Sequence, residues 1–335
     1  MEHQRVCGRS NAAWLIALVG VACGGTVDSR PSDAGAVVDG GSFVDGGAPP
    51  DGGLSAARGF PEPWPWVSFY GAAAGNDLAR IASTFRVINI DVDPTAGNFT
   101  DAQITTLKAG GRNRVISYLN VGACETYRVY FSRCQSSGAL TTRYSPEYPD
   151  EWWANLSNAQ YRALIVDEVA PRLHARGVDG FFLDNLEVVE HGADATVGPC
   201  DAACAQGGLD LVWALRARFP DALIVMQNAT SDVTRLGHTH GVPFPSLLDG
   251  ISHEQVYGPD ADPGALSELR AYRDLRLTVN GRPFWIGTED YVGACARAQR
   301  AQADAIYARA LTDGFNAYVT DQSGAQQAPC FWGDL

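Results

Sequence analysis

Positive charge is scarce in this sequence. Its 335 residues hold 38 acidic and 25 basic side chains, a formal charge of −13. A surface of that sign argues against nucleic acid or anionic polysaccharide as partner and fits a neutral or cationic ligand, although simple solubility explains it equally well. No Gly-x-Gly-x-x-Gly follows any stretch that reads as a strand, which weakens a nucleotide-binding reading. No cysteine pair has the two-residue spacing common in zinc sites, and no cofactor or metal is expected. No apolar run is long enough to cross a bilayer as a helix. The run Ala12–Val19, behind Arg5 and Arg9, has the length and flanks of a secretory signal.

What is present divides the chain in three. Residues 1–22 read as a signal peptide of lipoprotein type, because Gly20-Val21-Ala22 places small residues directly before Cys23. Cys23 is then the expected lipidation site, and an ordinary signal with an incidental cysteine is the alternative. Residues 23–60 repeat Asp, Gly and Pro with few large apolar residues, so they read as a disordered spacer. Residues 61–335 are dense in aromatics and form one domain. The expected protein is exported, tethered by lipid at the bacterial cell envelope or secreted, and monomeric. Its only membrane contact is the lipid.

Six cysteines fall in the domain: Cys124, Cys134, Cys200, Cys204, Cys295 and Cys330. An even number in an exported chain indicates disulfides. Cys124/Cys134 and Cys200/Cys204 are near enough in sequence to staple single loops, which leaves Cys295 and Cys330. The full connectivity stays open.

Eight short apolar runs read as strands: 66–70, 87–93, 114–122, 180–185, 223–228, 249–256, 283–289 and 317–321. Phe181-Phe182-Leu183 is typical, apolar throughout as in a strand buried on both faces. Gly177 ahead of it releases the helix expected over Asn158–Arg176. Helices are also expected over Gly208–Phe219, Pro263–Leu275 and Cys295–Leu311, and a short one over Asn76–Thr84. Thr100 caps another, running through Leu107. Residues 229–248 carry weak helix signal. Alternation of this kind implies a parallel sheet, and eight units imply an α/β fold closed as a (β/α)8 TIM barrel; an open doubly wound sheet is the alternative. The connection Ala123–Leu156 reads as a long loop. Its Tyr127, Tyr130, Tyr144, Tyr148, Trp152 and Trp153 either stack on sugar rings or seal one end of the barrel.

Barrel chemistry sits at the C-terminal strand ends. The polar residues there are carboxylates, amides and tyrosines, with little Lys or Arg. Carboxylate pairs suit glycoside hydrolysis, in which one acid protonates the leaving oxygen and the other attacks or activates water. Asp184 on strand four and Glu254 on strand six lie one strand apart and are the expected pair. Tyr70, Asp91, Tyr118, Asn120, Asn185, Gln227, Asn228, Tyr257 and Asp321 are the candidates for holding a sugar. A structural acid capping a loop is the plainer reading of each carboxylate. His238 and His240 have a metal-like spacing, but they follow strand five, where no metal is assigned. His253 is expected on the face opposite Glu254.

Taken in order, Val115-Ile116-Ser117-Tyr118-Leu119-Asn120-Val121-Gly122, Tyr127-Arg128, Glu151-Trp152-Trp153, Gly180-Phe181-Phe182-Leu183-Asp184-Asn185, Gln227-Asn228 and Asp249-Gly250-Ile251-Ser252-His253-Glu254 resemble glycoside hydrolase family 114, the endo-α-1,4-polygalactosaminidases. The resemblance implies a (β/α)8 barrel, Asp184 as nucleophile and Glu254 as acid/base, and a polysaccharide substrate containing galactosamine. The family's strand-three motif commonly runs from Val-Gly into an acidic residue. Here Val121-Gly122 runs into Ala123-Cys124-Glu125, which moves the acid on by two positions. A silent glycan-binding lipoprotein and an α-galactoside hydrolase are the alternatives.

Overall fold

The computed structural model describes residues 59–60, 65–279, 282–322 and 326–334. The expected signal peptide, Cys23 and nearly all of the spacer lie outside these residues. Eight parallel strands form one sheet: β1 (Trp66–Ser68), β2 (Val87–Ile90), β3 (Arg114–Asn120), β4 (Gly180–Asp184), β5 (Leu223–Gln227), β6 (Gly250–Glu254), β7 (Trp285–Val292) and β8 (Asn316–Asp321). Their spatial order follows the chain order, so this is a (β/α)8 barrel, nearly closed. The seam between β1 and β8 is joined by Trp66 Nε1, which donates to the Asn316 carbonyl at 2.8 Å.

The strands are apolar on both faces because each lies between an outer helix and the barrel interior. β4 is buried along Gly180–Leu183 and only Asp184 at its tip is half-buried. Trp66 sits within the barrel against Trp285 (5.2 Å, edge-on), Tyr318 (5.8 Å) and Phe182 (6.3 Å). Gly287 makes room for this cluster, since a Cβ there would lie 2.3 Å from the Trp285 ring. Below the site, Arg216 is buried among carbonyls and donates to Asp249 Oδ2 at 2.6 Å. The same Asp249 oxygen accepts from the Ile224 amide at 2.8 Å, which ties the helix Ala202–Arg218 to β5 and β6.

Four of the differences from the sequence expectation have a local reason. Residues 123–156 are a folded insertion: strands Ala123–Glu125, Glu151–Ala154 and Leu140–Arg143 pair antiparallel, with a helix at Phe131–Ser137. Strands of three or four residues are too short to show an alternating pattern. The helix ahead of β4 widens into a π turn at Ile165–Val169. Pro171 follows, with no N–H to give the preceding turn and a ring that crowds it. The next helix starts at Ala202 rather than Gly208, capped by Asp201. Its inner Gly207 and Gly208 hide the helical signal but allow close packing, because a Cβ on Gly207 would lie 2.2 Å from the Leu156 carbonyl. Finally, β7 runs on to Val292, past the expected end at Glu289.

The cysteines pair as Cys124–Cys134, Cys200–Cys204 and Cys295–Cys330. The buried Arg216–Asp249 pair gives a stability test. Asp249→Asn leaves a buried guanidinium without its counter-charge and is expected to lower the unfolding free energy by about 3–5 kcal/mol. Urea titration of the full chain reads this as an earlier midpoint, and an unmoved midpoint contradicts it.

Candidate active site

The strand ends open into a cavity of about 260 Å³. Its lining includes Asp184 from β4, Gln227 and Asn228 from β5, Glu254 from β6, Tyr118 from β3, and Tyr70 and Asp91 beyond β1 and β2. The insertion adds Glu125, Tyr127, Arg128, Tyr144, Tyr148 and Glu151. A second cavity adjoins it, sharing Asn228 and Glu254 and lined further by Glu187, Glu190, His191, His253 and Glu268.

The backbone turns abruptly where β4, β5 and β6 end. Asn185, Asn228 and Gln255 each follow a strand tip and have φ of +61°, +60° and +54°. Asparagine tolerates the left-handed region better than most residues. Asn228 uses the turn to grip Glu254. Its Oδ1 accepts from the Glu254 amide at 3.0 Å and its Nδ2 donates to Glu254 Oε2 at 2.8 Å. The Tyr291 hydroxyl donates to the other oxygen, Oε1, and in turn accepts from Gln326 Nε2 at 3.1 Å.

The Tyr118 hydroxyl, which donates to Glu125 Oε1 at 3.3 Å, and the Asn185 backbone N–H lie close to Asp184. Both favour its charged form, yet burial and then the nearby Glu254 charge outweigh them and push its pKa up to about 7. Glu151 Oε1 accepts from Asn120 Nδ2 and Asn185 Nδ2, both at 2.6 Å. Burial, followed by the charges of Glu125 and Asp184, raises its pKa to about 8. Burial also lifts Glu289 and Glu187 well above the usual carboxylate range. Arg128 is the guanidinium at this wall. It donates to Asp91 Oδ2 at 2.9 Å and to Glu125 Oε1 at 3.1 Å.

Most of the candidates converge. Tyr70, Asp91, Tyr118, Asn185, Gln227 and Asn228 line the cavity with Asp184 and Glu254. Asn120 stands behind it and supports Glu151. Two candidates do not reach the cavity. The Tyr257 hydroxyl donates to Asp313 Oδ2 at 2.8 Å on the outer side, because the chain after β6 is turned away by backbone bonds to Asp290. Asp321 lies within 4.8 Å of the Cys295 and Cys330 sulfurs. Among the described residues that trio has the spacing of a metal site, but its sulfurs are bonded to each other and supply no thiolate. The aromatic connection divides between core and cavity. Trp153 and Tyr130 are buried, whereas Tyr127, Tyr144 and Tyr148 face the cavity.

Glu151, Glu125, Tyr291 and Gln326 were not among the sequence candidates. Glu151 and Glu125 lie in the region read as a loop, although both sit in motifs quoted above. Tyr291 needed the longer β7, and Gln326 comes from the segment after β8.

The model of glycoside-hydrolase family GH114 matches residues 58–238, more than half of the chain. The chain belongs to family GH114. It is thus a glycoside hydrolase, and β6 with Glu254 lies beyond the matched stretch. Among solved structures, this GH114 chain is similar to the glycoside hydrolase domain of PelA from Pseudomonas aeruginosa, at 16% identity and a TM-score of 0.58. The match covers 78% of this chain and 95% of that one. It is also similar to Ega3 of Aspergillus fumigatus, solved in complex with galactosamine, at 18% identity and a TM-score of 0.55, covering 79% and 92%. These likenesses establish the barrel. No curated protein matches the chain.

The raised acids set a direction for stability against pH. Asp184 and Glu151 bind their protons more tightly folded than unfolded. The stability they add is therefore fully present below the ordinary carboxylate range. It is lost as the pH rises through their folded values of about 7 and about 8. Thermal unfolding of the full chain is expected to show Tm falling between pH values of about 5 and about 8.5. A Tm that climbs across that window would contradict the assignment.

Proposed function

We propose that this GH114 member is an endo-acting hydrolase of α-1,4-linked, galactosamine-containing polysaccharide, with Asp184 as nucleophile and Glu254 as general acid/base. The observation that carries the reading is that these two acids line one cavity and that each lies within the field of the other. Burial and then the Glu254 charge raise the Asp184 pKa to about 7. A retaining glycosidase needs one acid to carry a proton and the other a charge. Glu254 gives its proton to the glycosidic oxygen as Asp184 attacks the anomeric carbon, forming a glycosyl ester and freeing one chain end. Glu254 then takes a proton from water, which displaces Asp184 and restores both acids.

The surroundings support the sugar assignment. An acid-rich cavity with amides and tyrosines suits hydroxyls and a cationic amine. Tyr144 and Tyr148 line its wall, their rings edge to face with centroids 5.8 Å apart. The adjoining cavity beyond Glu254 gives space for a further sugar unit. Ega3 is recorded with galactosamine bound. Release of new reducing ends from α-1,4-galactosamine polymer tests the reading. Asp184→Asn and Glu254→Gln are each expected to lower kcat by roughly 10²–10⁴-fold. Undiminished turnover in either variant removes that residue's role, and release from α-galactosides alone changes the sugar.

The proposed setting is the bacterial envelope: signal at 1–22, lipid on Cys23, spacer to residue 60 and catalytic domain at 61–335. Three disulfides suit an oxidising compartment outside the cytoplasm. Cys23→Ser is expected to abolish incorporation of labelled palmitate and to shift the protein from the membrane fraction to the soluble one. Membrane retention by the variant would rule out the tether.

A further inference from the structure

The insertion meets the barrel at a carboxyl group. Glu151 stands on the insertion strand Glu151–Ala154, and its Oε1 takes one amide hydrogen from each of two strand ends. Asn120 closes β3, and its own Oδ1 accepts from the Ala123 amide at 2.8 Å where the insertion begins. Asn185 follows Asp184 directly in the chain. The Asn185 backbone has little latitude. It is in the left-handed region, and its carbonyl is pressed against Gly122, where a Cβ would lie 1.7 Å away. The Asn185 side chain held by Glu151 thus belongs to the residue bonded directly to Asp184.

We propose that Glu151 is a positioning residue for Asp184, its neutral carboxyl clamping the insertion onto the ends of β3 and β4 through Asn120 and Asn185, with ionisation loosening the clamp. The clamp belongs to the catalytic reading given above and rests on it. Charge on Glu151 is opposed from three sides. Glu125 is its cross-strand partner, Asp184 shares its cavity, and the Arg128 guanidinium is engaged by Asp91 and Glu125. Tyr118 on β3, Tyr127, Tyr144 and Tyr148 on the insertion, and Tyr161 on the helix that follows it also feel this charge, their pKa values raised chiefly by burial. The two amide hydrogen bonds favour a charged Glu151. Burial and the like charges of Glu125 and Asp184 outweigh them, so a charged Glu151 is driven from the strand ends toward water.

Glutamine keeps the acceptor oxygen and a donor group and does not ionise, so Glu151→Gln imitates the neutral acid. The test follows two readouts of the full-length chain against pH: kcat and KM on α-1,4-galactosamine polymer, and hydrogen-exchange protection of residues 123–156 corrected for intrinsic rates. In the wild type both activity and protection are expected to fall as the pH passes about 8. Glu151→Gln is expected to keep kcat on the acid side within about three-fold and to abolish the fall in protection. Glu151→Ala is expected to lower kcat roughly 10–100-fold, with KM within a few-fold, and to reduce protection even at mildly acid pH. The proposal is overturned if protection in Glu151→Gln follows the wild-type pH dependence, or if Glu151→Ala leaves protection of the insertion unchanged. Should the wild type cleave no galactosamine polymer, the substrate reading fails alone and the exchange data still decide the clamp.

Discussion

Carboxyl groups crowded into a cavity with little water repel one another, and the strand ends of this barrel hold several. Asp184, Glu254, Glu151 and Glu125 share one space, with Glu187 and Glu289 at its margins. In a medium of low dielectric their mutual repulsion is far larger than in water. Matching them with lysines or arginines would remove the repulsion but would also bind the acids in fixed ion pairs. The chain has a single lysine, Lys108, and it is bound at Asp179, outside the cavity. The cavity's Arg128 is committed to Asp91 and Glu125. Neutral donors hold the rest: Asn228 and Tyr291 on Glu254, Tyr118 on Glu125, Asn120 and Asn185 on Glu151. Protons retained on some of the acids complete the balance.

That choice places a demand on the backbone. An amide positions a carboxylate only if its own chain is rigid, and the left-handed turns at Asn185 and Asn228 supply the rigidity directly after the strands. β5, between the two acid-bearing strands, ends in Gln227 and Asn228, and the latter reaches sideways to its neighbour's acid. Gly122 lets the end of β3 approach the Asn185 carbonyl.

The frame was legible because each barrel strand is buried on both faces and ends abruptly in a polar residue. Phe181-Phe182-Leu183-Asp184 shows both features, and Ile251-Ser252-His253-Glu254 shows the second. Counting such ends brought Asp184 and Glu254 together without any long-range information. Tyr291 was hidden because Glu289 and Asp290 interrupt the apolar run halfway along β7, although both acids are buried there. Tyr257 and Asp321 were placed by nearness to a strand end. Beyond the last ladder bond the alternation of side chains no longer holds, and tertiary contacts with Asp313 and the Cys295–Cys330 pair decide their direction. The insertion was illegible as structure because its strands are short and its register depends on partners far along the chain. Glu125 and Glu151, opposite each other across 25 intervening positions, acquire meaning only once folded.

The pairing of Cys124 with Cys134, ten positions apart, closes a loop that carries Glu125, Tyr127 and Arg128. A loop closed in this way has already lost most of the conformational freedom that a long polymer would otherwise have to remove on docking. The wall of the cavity is therefore in place before any sugar arrives. Encounter with a chain segment is then a matter of diffusion and fit rather than of loop ordering, a useful trait for an enzyme working along a flexible glycan.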